Sequence, residues 1–146
     1  EAAPLIRYRT RDITRVIPGP CTCGSFFPRH SRIKGRSDDT IKYRGVNIYP
    51  STIDTILSAI PGLGSEYQMH LTRDEDSGKD FMMLKIERGE GVDAGRTAEL
   101  VHEIGYQVKK QLLVSIQAEL VDYGALPRTE RKSQRVFDSR ITDEIV

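Results

Sequence analysis

The sequence lacks the features that mark several large protein classes. None of its apolar runs approaches the roughly 20 residues needed to span a bilayer, so no membrane helix is expected. No charged-then-apolar signal segment stands at its front. It has only two cysteines, Cys21 and Cys23, too close together to form a useful structural bridge. Two cysteines without a signal segment favour a reducing, cytoplasmic setting. There is no glycine-rich phosphate loop, no zinc-protease motif and no nucleophile elbow. No Cys or Ser has a His and an acid at a recognisable spacing, and His30, His70 and His102 stand isolated. Internal repeats and low-complexity tracts are also missing. The chain opens Glu1-Ala2-Ala3-Pro4 without a Met, as expected of a piece excised from something longer.

What is there is ordinary in amount. The 146 residues suit one domain, with 38% hydrophobic and 29% charged residues, which excludes a disordered chain, a collagen-like repeat and a coiled coil. A chain of this length buries roughly two thirds of its unfolded surface, so its core needs no disulfide staple.

The formal net charge of +1 conceals an uneven distribution. Residues 1–44 carry ten Lys/Arg against four Asp/Glu, a net of +6; residues 45–126 carry seven against thirteen, a net of −6. Residues 127–146 return to +1. A basic front beside an acidic body suggests that one face meets an anion; chance clustering on a solvated surface is the alternative.

The middle of the chain has clear periodicity. Residues 41–49 read as a β-rich segment ending at Pro50, after which Ser51 suits a helix N-cap, with Asp54 near the positive helix start. Ile53, Ile56, Leu57 and Ile60 lie on one helical face, and Pro61-Gly62 stop the helix. Tyr67, Met69 and Leu71 alternate with polar residues, as do Met82, Leu84 and Ile86 beyond the turn at 74–80, so the two strands form a hairpin. Residues 93–113 form a long helix with Val101, Ile104, Val108 and Leu112 on its stripe, and Ile116, Ala118 and Leu120 mark a third alternating strand. The fold class is therefore α+β, with a split β-α-β-β-α-β (ferredoxin-like) order. The segments before 41 and after 122 fall outside this unit and are where chemistry is expected.

Three polar stretches stand out: Arg7-Tyr8-Arg9-Thr10-Arg11-Asp12, the run Gly35-Arg36-Ser37-Asp38-Asp39-Thr40-Ile41-Lys42-Tyr43-Arg44-Gly45-Val46-Asn47, and Leu126-Pro127-Arg128-Thr129-Glu130-Arg131-Lys132-Ser133-Gln134-Arg135-Val136. In order and spacing they resemble the carboxy-terminal part of acyl-adenylate-forming enzymes, specifically the phenylacetate–CoA ligase family. The resemblance runs from Pro4 to about Asp138. It implies that residues 1–37 end a large domain and form a linker with a Cys-x-Cys turn. Residues 38–146 would then be the small carboxy-terminal domain, opened by a hinge and β-hairpin segment and carrying a mobile lysine loop. It implies ATP and CoA as cosubstrates, Mg2+ accompanying ATP, an aryl acid as the third substrate, and the missing amino-terminal adenylation domain as partner.

Residue roles follow from the same resemblance. Asp12 resembles the aspartate that accepts hydrogen bonds from the ATP ribose hydroxyls, for which a short acceptor-only side chain is suited; a turn-capping Asp is the plainer reading. Arg36 resembles the arginine near the nucleotide, where a planar permanent cation binds phosphate; a surface ion pair with Asp38 or Asp39 is its alternative. Asp38 resembles the hinge about which the small domain rotates between two reaction steps, and Asp tolerates unusual backbone. Gly45 matches a position where the backbone runs close to CoA, which the lack of a Cβ permits, or else it relieves a twisted strand. Asn47 and Tyr49 are weaker candidates for the same CoA tunnel. Lys132 resembles the catalytic lysine whose point charge neutralises the acyl carboxylate and α-phosphate oxygens during adenylation. Two departures are visible: Arg131 stands where the family usually has Gly, and Gln134 where a second base is frequent.

The turn Cys21-Thr22-Cys23-Gly24 resembles a Pro-Cys-x-Cys-Gly element of these ligases. Two thiolates supply half of a tetrahedral Zn2+ site and His30 a third ligand; a reduced thiol pair in a tight loop is the reading preferred, with no metal. A rival class is a stand-alone ferredoxin-like module, regulatory or nucleic-acid-binding. RNA readers of that fold display two or three strand aromatics, whereas here only Phe81 qualifies, and the acidic body repels phosphate. Neither a nucleic acid nor a membrane is therefore an expected partner.

Overall fold

Alternation of apolar and polar residues builds the centre of the protein, which we describe from a computed structural model. The structure describes residues 6–128 and 135–140. It divides into two compact units, one up to Thr40 and one from Ile41.

In the first unit, four two-residue strands form two antiparallel pairs. β1 (Asp12–Ile13) pairs with β4 (Gly35–Arg36), and β2 (Val16–Ile17) pairs with β3 (Arg29–His30). The pairs are continued by backbone bonds from Ser37 to Arg11, from Lys34 to Ile13 and from Ser31 to Arg15. None of residues 6–40 is buried, and Ile6, Tyr8, Val16, Phe26 and Phe27 are largely exposed. Among its described residues this unit is a ribbon held by hydrogen bonds, with no buried core.

The second unit opens with a hairpin of β5 (Ile41–Tyr43) and β6 (Val46–Ile48). Its two turn residues, Arg44 (φ 49°) and Gly45 (φ 81°), both lie in the left-handed region. That combination makes a type I′ turn, whose twist matches the flanking strands. The helix α1 (Pro50–Ser58) follows, then the long hairpin of β7 (Leu63–Arg73) and β8 (Asp80–Arg88). A 3-10 turn at Ala94–Arg96 leads into α2 (Thr97–Leu112), with the Asp93 side chain accepting from the Gly95 N–H at 2.6 Å. β9 (Gln117–Val121) and β10 (Val136–Asp138) complete the described elements.

The main sheet has four strands in the order β10-β7-β8-β9. β7 and β8 are antiparallel, β9 runs parallel to β8, and β10 runs parallel to β7. Tyr67, Met69 and Leu71 of β7 and Met82, Leu84 and Ile86 of β8 point to one buried face, as their alternation requires. There they meet Ile53, Ile56 and Leu57 of α1 and Leu100, Ile104 and Val108 of α2. Ile41, Tyr43 and Ile48 add the hairpin to the same core. Gly64 allows the start of β7 to bulge against β8, since a Cβ there would lie 3.0 Å from the Glu87 Cβ.

Three expectations are corrected. The ferredoxin-like order fails at its first strand: residues 41–49 fold back on themselves at Arg44-Gly45 as a separate two-stranded hairpin. The fourth strand of the sheet is β10 instead, from a segment with too few apolar residues to show a period. The supported description is a mixed α/β small domain with a four-stranded sheet and two helices. The cap of α1 is Tyr49 and not Ser51; Pro50 occupies the first turn, where its fixed φ and missing N–H cost nothing. Asp54 accordingly lies outside that first turn and pairs with Arg135.

Candidate functional site

Within the first unit, the β1–β4 pairing sets Asp12 directly opposite Arg36. The Asp12 carboxylate is exposed, and its backbone N–H donates to Thr10 Oγ1 at 3.3 Å. Arg36 is engaged by its own neighbour: Nε donates to Asp38 Oδ1 at 3.0 Å and Nη2 to Asp38 Oδ2 at 2.7 Å. Arg11 Nη1 approaches the same carboxylate at 3.5 Å. The hydrogen bonds from Arg36 hold the Asp38 carboxyl down at about 2, and Asp38 in turn raises the Arg36 guanidinium. Of the two readings of Arg36, the ion pair is the one this arrangement displays.

The Cys-x-Cys turn is closed by the Gly24 N–H donating to the Cys21 carbonyl at 3.0 Å. Cys23 Sγ lies 3.0 Å from Cys21 Sγ, and this contact, followed by a backbone bond at Ser25, lowers the Cys23 thiol. His30 is not gathered with them. Its Nδ1 lies 2.7 Å from the Ser31 carbonyl oxygen, and among the described residues no cluster of three His, Cys, Asp or Glu side chains fits a metal ion.

In the second unit, Gly45 sits at the hairpin tip with nothing within 4 Å of an added Cβ. Asn47 is exposed on β6 opposite Lys42, and half-buried Tyr49 caps α1. Gly45, Asn47 and Tyr49 thus share one short edge. The tip is secured by Arg44, whose Nε donates to the Asp80 carbonyl at 3.1 Å and whose guanidinium lies 5.2 Å from the Tyr43 ring and 5.7 Å from that of Phe81. Arg140 secures its base: Nη1 donates to the Lys42 carbonyl at 2.7 Å and to Asp80 Oδ2 at 2.8 Å. Bonds from Arg140 hold the Asp138 carboxyl below its ordinary value. Arg73 does the same for Asp80, ahead of Arg140.

Lys132, with Arg131 and Gln134, lies outside the described residues. Its flanks are described. On one side Arg128 Nη2 donates to Glu87 Oε2 at 2.8 Å. On the other, Arg135 pairs with Asp54 and covers the Tyr67 ring at 4.7 Å. Tyr67 is pushed up to about 12, by burial first and by Asp54 second. Sequence reasoning missed Glu87, Arg140 and β10; a Glu on the polar side of an alternating strand carries no signal of burial.

Residues 45–140 match the family described as AMP-binding enzyme C-terminal domain. The chain belongs to that family. Phenylacetate-coenzyme A ligase of Escherichia coli (strain K12) is 35% identical over 143 residues, covering 96% of this chain and 32% of the relative. A domain of phenylacetate-coenzyme A ligase from Bacteroides vulgatus ATCC 8482 superimposes with a TM-score of 0.63 at 39% identity, covering 73% of this chain and 97% of that one. A 2-hydroxyisobutyryl-CoA ligase in its postadenylation state, bound to 2-HIB-AMP, reaches a TM-score of 0.80 at 35% identity, covering 94% of this chain and 29% of that one. The chain spans about a third of the length of the curated relatives it matches. Among the described residues, no helix is long and apolar enough to cross a membrane.

Proposed function

We propose that this chain is the carboxy-terminal part of an ATP-dependent arylacetate–CoA ligase of the phenylacetate type. The reaction is ATP + arylacetate → acyl-AMP + pyrophosphate, followed by acyl-AMP + CoA → acyl-CoA + AMP. The observation that carries this reading is the 35% identity to a phenylacetate-coenzyme A ligase along 96% of the chain, which takes in all three polar stretches. Membership of the family lends nothing to a stand-alone regulatory or nucleic-acid-binding module.

In this reading residues 1–37 close the large domain and residues 38–146 form the small one, with the ferredoxin-like order kept only from α1 onward. Asp12 accepts from the ribose hydroxyls of ATP, and Mg2+ accompanies the triphosphate. Lys132 neutralises oxygens of the acyl carboxylate and α-phosphate as attack proceeds, so that two anions can be brought together at the transition state. Gly45, Asn47 and Tyr49 line the path of CoA, the glycine because nothing projects from it. Asp38 is the hinge between the two half-reactions. The Arg36–Asp38 pair ties the nucleotide arginine to that hinge, so that a backbone change at Asp38 exchanges a carboxylate partner of Arg36 for a phosphate.

The phosphate loop and acid pocket belong to the amino-terminal domain. Incubated with ATP, CoA and phenylacetate, the 146-residue chain is expected to release no AMP above blank, whereas the full-length protein containing it forms acyl-CoA. Turnover by the chain alone contradicts this reading, as does a full-length protein that releases no AMP with any aryl acid.

A further inference from the structure

Glu87 is the one buried charged residue among those described, with 0% exposure, and no step above uses it. It lies on the sheet face turned away from the helices. Its Oε1 accepts the Leu126 N–H at 2.8 Å and its Oε2 accepts Arg128 Nη2 at 2.8 Å. The Arg128 guanidinium also lies 4.4 Å from the Tyr123 ring. Burying a carboxylate is expensive unless its oxygens are paired and hydrogen-bonded, and here both are.

The carboxylate adds to two contacts at the start of the stretch it holds, Arg88 on Asp122 and the Ala125 N–H on the Asp122 carbonyl at 3.1 Å. Residues 122–128 form neither helix nor strand, and of their side chains only Leu126 is buried. This is the stretch that leads from β9 to Lys132. On the far side of Lys132 in sequence, Arg135 contacts Asp54 and Tyr67, and β10 pairs with β7. The two anchors sit on different elements, β8 on one side and α1 with β7 on the other.

We infer that Glu87 is a positioning residue, which by gripping Leu126 and Arg128 sets the course of residues 122–128, the stretch that precedes Lys132, and so governs adenylation. The inference rests on the role proposed for Lys132. It differs from a merely structural role, which would depress both half-reactions together.

The test is Glu87→Gln in the full-length protein, beside Arg128→Gln, which removes the same bond from its exposed end and so spares folding. Acid-dependent ATP–pyrophosphate exchange is expected to fall about 10- to 100-fold, the effect of a small misplacement of a catalytic group. Thioester formation from supplied acyl-AMP should stay close to wild type. In the 146-residue chain, amide exchange at Leu126 should speed up in both variants. Equal loss in the two half-reactions, or unchanged exchange at Leu126, would overturn the inference. Failure of the functional reading is separate, because it shows in the unmutated protein as no acid-dependent pyrophosphate exchange at all.

Discussion

Arg36 grips Asp38 through two parallel hydrogen bonds, Nε to Oδ1 at 3.0 Å and Nη2 to Oδ2 at 2.7 Å, within a turn of three residues. The geometry is the fork-to-carboxylate pairing that makes such bonds directional. It joins the residue proposed to meet the nucleotide to the one proposed as hinge. Both are partly exposed, so the pair holds a local conformation more than it stabilises the fold.

The pair has a pH signature. Its hydrogen bonds lower the Asp38 carboxyl from 3.8 to about 2. A depressed carboxyl contributes stability above its unfolded value and loses it as pH falls through the folded one. The contribution is therefore complete above 3.8 and disappears as the pH drops towards about 2. Side-chain carboxyl NMR of the chain should show Asp38 titrating near the lower limit. In Arg36→Met the midpoint should return towards 3.8. A wild-type midpoint already there would show that the pair does not form.

Gly45 offers a test of the hairpin and of the CoA path together. Its φ of 81° is strained for any residue with a Cβ, although no neighbour would touch one. Gly45→Ala should thus destabilise the chain by about 1–2 kcal/mol from backbone conformation alone. In the full-length protein it should raise the KM for CoA and leave pyrophosphate exchange unchanged. Urea unfolding reads the first effect and the two half-reactions read the second. A stability equal to wild type would argue against the type I′ turn.

Acid should loosen the Glu87 grip before it unfolds the core. Burial pushes this carboxyl up, but the N–H groups of Leu126 and Gly124 and the Arg128 guanidinium together outweigh it and leave it below the ordinary value. The grip is therefore intact above the ordinary Glu pKa of about 4.3 and fails as pH falls through the lower folded value. Amide exchange at Leu126, corrected for intrinsic rate, should lose protection over that range while Leu84 and Ile104 keep theirs. Simultaneous loss at all three would mean that Glu87 holds nothing local.

Much of the second unit was legible in its sequence. Tyr67, Met69 and Leu71 face Met82, Leu84 and Ile86 across the hairpin as their alternation requires, and Ile104 and Val108 bury the stripe of α2. The hairpin implied by the resemblance at the head of the small domain is present as β5 and β6, but the run 41–49 also read as one strand of the sheet, because Arg44-Gly45 lacks the Asn or Asp that usually signals a type I′ turn. β10 escaped because its three residues gain their order from β7, not from any pattern of their own. Glu87 was hidden for a related reason: its burial is imposed by Leu126 and Arg128, which lie 39 and 41 residues away. Among candidate site residues, local neighbours such as Arg36 and Asp38 were within reach of sequence reasoning. Those joined through the fold, such as Arg140 with Lys42 and Asp80, were not.

The central claim is that this small domain serves one half-reaction through Lys132 and the other through the edge at Gly45. Lys132→Ala in the full-length protein, assayed separately for acid-dependent pyrophosphate exchange and for thioester formation from supplied acyl-AMP, tests it most directly. Exchange should collapse by about 10²-fold or more, the scale of losing one preorganised charge at a transition state, while thioester formation continues near the wild-type rate. Equal loss in both half-reactions, or exchange that persists, would contradict the account.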